Sequence, residues 1–477
     1  MILRFSGMDG TDGSHAVQDH FVSVKSLSTA ALAKAEVVQV LRLWLTALSV
    51  LSAALAVAQD DSTAKTYSAT NAVTNTPAAA PNESAVNETV WKQLSELRLG
   101  PFNLHPRLSA GLTYDDNIKY STASREADSI WTIQPAIQAV AGDDAALIAY
   151  RDQNSAVLGL APGNLIVEPP DGWPGKLLML DYGPGFQFFD KYTANNYINQ
   201  LATLNLLWPM SKAIFGFRQD YQLQKTTIIE LSGQRAVVET ISTALSAAYQ
   251  FGDATSMESN FRRVSIAYDE PGLIGDTEYN TEDWFNYAVA PDLPVSLGVL
   301  AGMDDVVNHQ DQTYEQLRAR ARYNYTEKLA FDASVGGELR QYENGDPATL
   351  SPVFTIAAEY WPAVRTSLRL TGSRQQSAAD FYGYNYATTG AALEVRQGIT
   401  DRFTAILGAG YYSVDFTPIT RALAKYAEDY YTARISLETK MVRHLTAQIF
   451  YQLLSSHSGL SGGVNDDQIG VQLTLSF

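Results

Sequence analysis

The 477 residues contain no cysteine. This excludes disulfides, thiol catalysis and zinc sites built on cysteine, and it suits a chain that crosses an oxidising periplasm. Long apolar runs are nearly missing as well. The only uncharged one, residues 43–58, falls short of the ~20 residues that a lipid-spanning helix needs. Histidine is sparse: His15, His20, His105, His309, His444 and His457 are scattered with no pair at ligand spacing, so no metal site and no cofactor is expected. Basic charge is in deficit, with 34 Lys and Arg against 51 Asp and Glu, a net charge of −17. Residues 1–58 hold equal numbers of both signs, so the rest of the chain keeps that excess. Such a surface disfavours nucleic acid. It does not hinder a membrane barrel, whose charges can sit in loops and lumen.

What is present begins with an export signal. Arg42 precedes the apolar run, which ends Ala56-Val57-Ala58 before Gln59, the small-x-small pattern of a signal-peptidase site. Cleavage is expected after Ala58. The polar stretch before the run is long for a signal peptide and fits a start codon assigned too early; a tail-anchored or stop-transfer segment is the alternative. Residues 59–98 are expected to form a disordered periplasmic linker, its first part rich in Ala, Thr, Ser, Asn and Pro, with a short amphipathic helix over 88–97. Residues 99–477 are expected to form one domain.

From Arg107 onward the apolar pattern has period two. Ile469, Val471, Leu473, Leu475 and Phe477 alternate with Gln468, Gly470, Gln472, Thr474 and Ser476. Successive strand side chains point to opposite faces, so one face is apolar and the other polar. The pattern recurs upstream, as where Leu317, Ala319, Ala321 and Tyr323 alternate with Arg318, Arg320 and Arg322. A soluble sandwich would alternate too, but these segments are longer than its strands of ~5–6 residues. They match the ~9–11 that a tilted strand needs to cross a bilayer. Short turns recur near 209–212, 252–254, 291–294, 326–328, 362–365, 399–402 and 441–444, with longer polar loops between them. This is the layout of a transmembrane antiparallel up-and-down β-barrel. Eighteen segments are counted, from 107–117 to 466–477, with sixteen as the alternative. Residues 143–175 read as an insertion in an early turn.

Two features resemble known proteins. Leu97-Arg98-Leu99-Gly100-Pro101-Phe102, then 107–112 and Tyr114-Asp115-Asp116-Asn117-Ile118, resemble the opening of an outer-membrane β-barrel porin family. Its members are often described beside exopolysaccharide biosynthesis and export. The resemblance implies a barrel in the cell outer membrane and a transport role, and leaves the substrate open. Val471, Leu473, Leu475 and Phe477 resemble the terminal signal read by the barrel-assembly machinery, which with outer-membrane lipid is an expected partner.

Catalytic signals are weak, and no enzyme is expected. Gly459-Leu460-Ser461-Gly462-Gly463 matches G-x-S-x-G, but a strand follows it, whereas the nucleophile elbow needs a helix. Asp115, Asp116 and Asn117 offer oxygen ligands for calcium, with solvated turn carboxylates as the plainer reading. The lumen carries the informative residues. If the apolar phase meets lipid, the inward arginines are Arg218, Arg263, Arg318, Arg320, Arg322, Arg340, Arg369, Arg396 and Arg434. The inward acids include Asp220, Asp332, Glu338, Glu359, Glu394 and Glu438. They either pair with one another across strands, Arg322 with Asp332 for instance, or line a pore that favours anions. The expected function is a porin-like channel or export pore for anionic solutes or polysaccharide. The alternatives are a closed structural or adhesion barrel and, further off, a barrel enzyme.

Overall fold

The computed structural model describes residues 97–122, 124–142, 175–228, 234–270, 273–290, 293–307, 311–343, 348–377, 384–418, 424–442, 444–458 and 462–477, all within one compact unit. The signal peptide with Ala56 and Ala58, the linker, the short helix, most of the 143–175 insertion and the serine of G-x-S-x-G lie outside these residues.

A backbone in lipid must satisfy its own hydrogen bonds, which for strands requires a closed ring. A two-residue strand β1 (Arg98–Leu99), not foreseen from the sequence, leads into the ring and pairs with its first member. The ring begins with β2 (Phe102–Asp115), β3 (Asp128–Gly142), β4 (Leu177–Phe189), β5 (Tyr197–Pro209), β6 (Ala213–Ile228) and β7 (Gln234–Gly252). It continues with β8 (Thr255–Tyr268), β9 (Asp276–Ala290), β10 (Leu293–Val306), β11 (Gln312–Thr326), β12 (Leu329–Tyr342) and β13 (Thr349–Ala363). It ends with β14 (Thr366–Ser377), β15 (Tyr384–Gly398), β16 (Phe403–Pro418), β17 (Tyr426–Val442), β18 (Leu445–Ser458) and β19 (Gly462–Ser476). Each strand pairs antiparallel with the next, and β19 pairs with β2 from Gln468↔Asp115 to Ser476↔Arg107. The ring is thus a closed barrel of eighteen strands, an even number as bacterial single-chain barrels have.

The period-two pattern determines the two faces. Leu108, Leu112 and Tyr114 of β2 share the outer face with Ile469, Val471 and Leu473 of β19. Leu297 is 64% exposed and Leu317 66%. An apolar belt this exposed and continuous is covered by lipid, not water. No helix among the described residues is long and apolar enough to cross a membrane; this chain crosses with strands, as an outer-membrane barrel. The seven short turns foreseen from sequence all fall at one end, the periplasmic end by the asymmetry of loop lengths. The longer connections lie at the extracellular end, except the one from β3 to β4, which joins its strands at the end of the short turns.

Candidate functional site: the inner wall of the barrel

The inner phase of the strands carries the polar chemistry. Arg218, Arg318, Arg320, Arg322, Arg340, Arg369, Arg396 and Arg434 all lie on it, as strand registers show: Arg318 faces Gly298 and Gly336, and Arg369 faces Glu359 and Glu394. Arg263 does not. It shares its face with Phe261 and Met257, whose cross-strand partners Leu245 and Tyr249 are exposed to lipid. Arg262 takes the inward place, opposite Ala244. The alternation in β8 is ambiguous because Val264 and Ile266 face inward near its extracellular end. Register against β7, and not the local pattern, decides the phase.

Most inward arginines are held by carboxylates. Arg218 Nε meets Asp220 at 2.6 Å, Arg369 meets Glu359 at 3.4 Å and Arg396 meets Glu438 at 3.9 Å. Arg320 is the most constrained of the β11 triplet. Its guanidinium donates to both oxygens of Glu258 at 2.7–2.8 Å and to Asn286 at 2.9 Å, while Nε donates to Ser296 at 3.2 Å. The link runs from β11 to β8, three strands away. Arg318 and Arg322 behave differently. Arg322 and Asp332 are cross-strand partners, as their spacing about the turn suggests. Even so, neither Arg318 nor Arg322 makes an ion pair among the described residues. The Arg318 Nε is buried with no hydrogen-bond partner.

Glu338, one of the inward acids, belongs to a separate cluster. Its carboxylate accepts from Arg340 Nε at 2.8 Å and from Gln316 at 2.7 Å. Arg340 also donates to Asp304 at 2.9 Å and to Gln312 at 3.1 Å. Gln312 donates to Asn385 at 2.9 Å, and Asn385 donates to Tyr342 at 3.0 Å, so the network reaches from β10 to β15. Arg340 is only 2% exposed and Glu338 not at all. Arg340 therefore braces the wall and does not present a charge to passing solutes.

A repeated local device seats three of these arginines. Trp284 lies against Gly298, Tyr314 against Gly302 and Phe450 against Gly470, so closely that any Cβ on those glycines would fall 2.3–2.5 Å from ring carbons. The missing side chain lets each ring lie flat on the wall. Each ring in turn carries a guanidinium: Arg320 over Trp284 at 4.4 Å, Arg340 over Tyr314 at 4.8 Å and Arg434 over Phe450 at 4.4 Å. A planar guanidinium stacked on an aromatic face is favourable, more so when desolvated. In each set the glycine, ring and arginine come from three consecutive strands, so no linear motif reveals the set.

The Asp-Asp-Asn-Ile element lies at the extracellular end of the β19–β2 seam. Asn117 is fully buried and donates to the carbonyls of Ser121 at 3.1 Å and Asn465 at 2.9 Å, while its own oxygen accepts from the Ser121 amide at 3.0 Å. Asp116 accepts from the Asp467 amide at 2.8 Å and from Arg125 at 2.6 Å. These carboxylates are used by backbone and arginine partners, and no group of three or more metal-binding side chains occurs among the described residues. Tyr120, in the following loop, holds φ at 48°, a strained conformation for a bulky residue. Burial, reinforced by Asp466 and Asp115, pushes its phenol above the usual range, so it remains a donor to Asp466.

Two further contacts narrow the extracellular mouth. Leu273, between β8 and β9, packs on the cluster of Tyr384, Val414, Phe416 and Tyr430 from β15–β17. The Arg235 guanidinium of β7 sits 4.9 Å from the Phe189 ring of β4. At the other end, the Phe477 amide donates to the Pro106 carbonyl at 3.1 Å, and its ring stacks on His444 at 5.2 Å.

No family model matches the chain, and no curated protein matches it. Among solved structures it is similar to OccAB3 of Acinetobacter baumannii, at 9% identity and a TM-score of 0.42, covering 80% of this chain and 100% of that one. It is also similar to the outer membrane protein OpdK of Pseudomonas aeruginosa, at 11% identity and a TM-score of 0.41, covering 78% and 99%. A third is the siderophore receptor PirA of Pseudomonas aeruginosa, at 10% identity and a TM-score of 0.40, covering 78% and 80%. At these values nothing about the solutes or partners of this chain follows from them.

Proposed function

We propose that the barrel is a porin-like channel of the outer membrane for small anionic solutes, such as acidic sugars or phosphorylated compounds. The observation that carries the reading is the pair Arg318 and Arg322, inward-facing and, among the described residues, without an ion-pair partner, on the same strand as the tightly held Arg320. A guanidinium left without a carboxylate attracts a passing anion, and its fork of donors suits carboxylates and phosphates. Export of an acidic polysaccharide would use the same chemistry along the same wall. The terminal strand, ending in Phe477, would be the part that the assembly machinery engages.

The test is ion selectivity of the refolded protein in planar bilayers under a salt gradient. Replacing Arg318 and Arg322 by Gln removes charge while keeping hydrogen bonding, and it leaves the Arg320–Glu258 pair intact. The anion-to-cation permeability ratio should fall. An unchanged ratio in a conducting double variant would refute the assignment. A closed structural barrel is the second reading, favoured by the packing of Leu273 across the mouth. It requires that the native protein show no unitary conductance.

A further inference from the structure

The lipid-facing side chains of β6–β8 differ sharply in size near the short turns. Ala247 and Ser259 are cross-strand partners on that phase, and both are small. Phe215 of β6 flanks Ala247, and the row Phe217, Leu245 and Phe261 stands two residues further toward the extracellular end. Phe215, Leu245 and Phe261 are 41–49% exposed, so the large side chains project while the small pair lies low between them. The result is an open groove of about 340 Å³ in the outer face. An apolar recess forfeits dispersion contacts along its lining unless something of matching shape fills it.

The depth of the groove and the charges beneath it say what fills it. Phe215 lies three residues above Lys212 of the β5–β6 turn, about 10 Å at ~3.3 Å per residue. The groove therefore opens in the half of the membrane next to the short turns, the periplasmic leaflet. Trp208, the cross-strand partner of Phe215, is 42% exposed, and the Lys176 ammonium sits 3.7 Å from its ring centre. Tryptophan and lysine together at this level hold an ammonium among lipid headgroups. Neither Lys176 nor Lys212 makes an ion pair among the described residues. The adjoining β7–β8 turn contributes one opposing charge, Asp253, which leaves the lysines in excess. We propose that the groove holds an acyl chain of a phospholipid from the periplasmic leaflet, with its phosphate held by Lys176 and Lys212. The recess supplies contact for the tail and the lysines supply charge for the head. A lipid of the opposite leaflet would carry its phosphates at the far end of the strands, away from both lysines.

The test is lipid retention by the barrel, purified from outer membranes and stripped of lipid in detergent. It is offered phosphatidylglycerol, or diacylglycerol with the same chains, and native mass spectrometry reads what stays bound. Phosphatidylglycerol should be retained about tenfold more than diacylglycerol, which lacks the phosphate. Ala247→Trp fills the groove, and Lys176→Gln with Lys212→Gln removes the charge. Each should lower retention of phosphatidylglycerol about tenfold or more. Ala433→Trp, on the lipid-facing phase of β17 between the exposed Tyr431 and Ile435, should leave it unchanged. Heat-modifiability shows that each variant is folded. If Ala247→Trp fails to fold, the lysine variant decides alone. Wild-type retention in a folded groove or lysine variant overturns the proposal, and so does equal retention of the two lipids. Equal loss in Ala433→Trp overturns it in favour of an unspecific lipid shell around the whole belt.

Discussion

Single residues in this barrel matter most where burial removes their alternatives. Arg340 balances the carboxylates of Asp304 and Glu338 in a pocket almost closed to solvent. Removing one member of a buried charge set leaves the others uncompensated, at a cost of about 3–5 kcal/mol. Arg340→Met should therefore lower the urea midpoint of the refolded barrel strongly, whereas Arg369→Met, whose ion pair is half-exposed, should shift it little. Comparable midpoints for the two would show that the cluster is not a brace. Arg263 gives the opposite lesson. A charge on the lipid face costs about 2–4 kcal/mol at the midplane, and Arg263 offsets part of that by donating from Nε to the Tyr279 hydroxyl at 3.4 Å.

At the scale of elements, the β19–β2 seam joins the two strands most distant in sequence, and its loop-closure entropy has to be met by contacts. The Asn117 hydrogen bonds to Ser121 and Asn465 tie the β2–β3 loop to β19 at one end, and the Phe477 contacts with Pro106 and His444 tie the seam at the other. Asn117→Ala removes three hydrogen bonds made by a fully buried side chain, and about 0.5–1.5 kcal/mol should be lost for each. Faster unfolding in urea, followed by gel mobility, measures it. Deleting Phe477 removes a closing contact and the residue expected to guide assembly. The amount of heat-modifiable protein in the outer membrane should drop while total synthesis does not. Wild-type levels of folded protein in the deletion strain would leave Phe477 no role in assembly.

For the whole molecule, the question is how far the mouth admits solute. Leu273 reaches from the β8–β9 connection onto Tyr384, Val414, Phe416 and Tyr430 on β15–β17, and that contact is apolar. Leu273→Asp makes its burial unfavourable and should free the connection from the wall. Single-channel conductance is then expected to rise, with ion selectivity unchanged because Arg318 and Arg322 lie on β11 and are untouched. A conductance identical to wild type would show that this contact does not limit passage.

The class of architecture, a count of eighteen strands with sixteen left open, all seven short turns and the lipid-facing phase of β11, β12 and β17–β19 were legible in the sequence. These follow from period two and turn chemistry, which are local: each residue's face depends only on its neighbours along one strand. The same local rule failed for Arg263, because β8 places apolar residues on both faces and only pairing with β7 distinguishes them. Tertiary structure alone decided which arginines are neutralised. The Arg320–Glu258 bond spans three strands, and the Arg340 network ends on Asn385 of β15. Contacts of that reach depend on register and on the curvature of the closed sheet, neither of which is written in any one strand. The Asp-Asp-Asn-Ile element was legible as a motif. Its part in joining loop to seam emerged only when Asn117 was seen beside Asn465, 348 positions away.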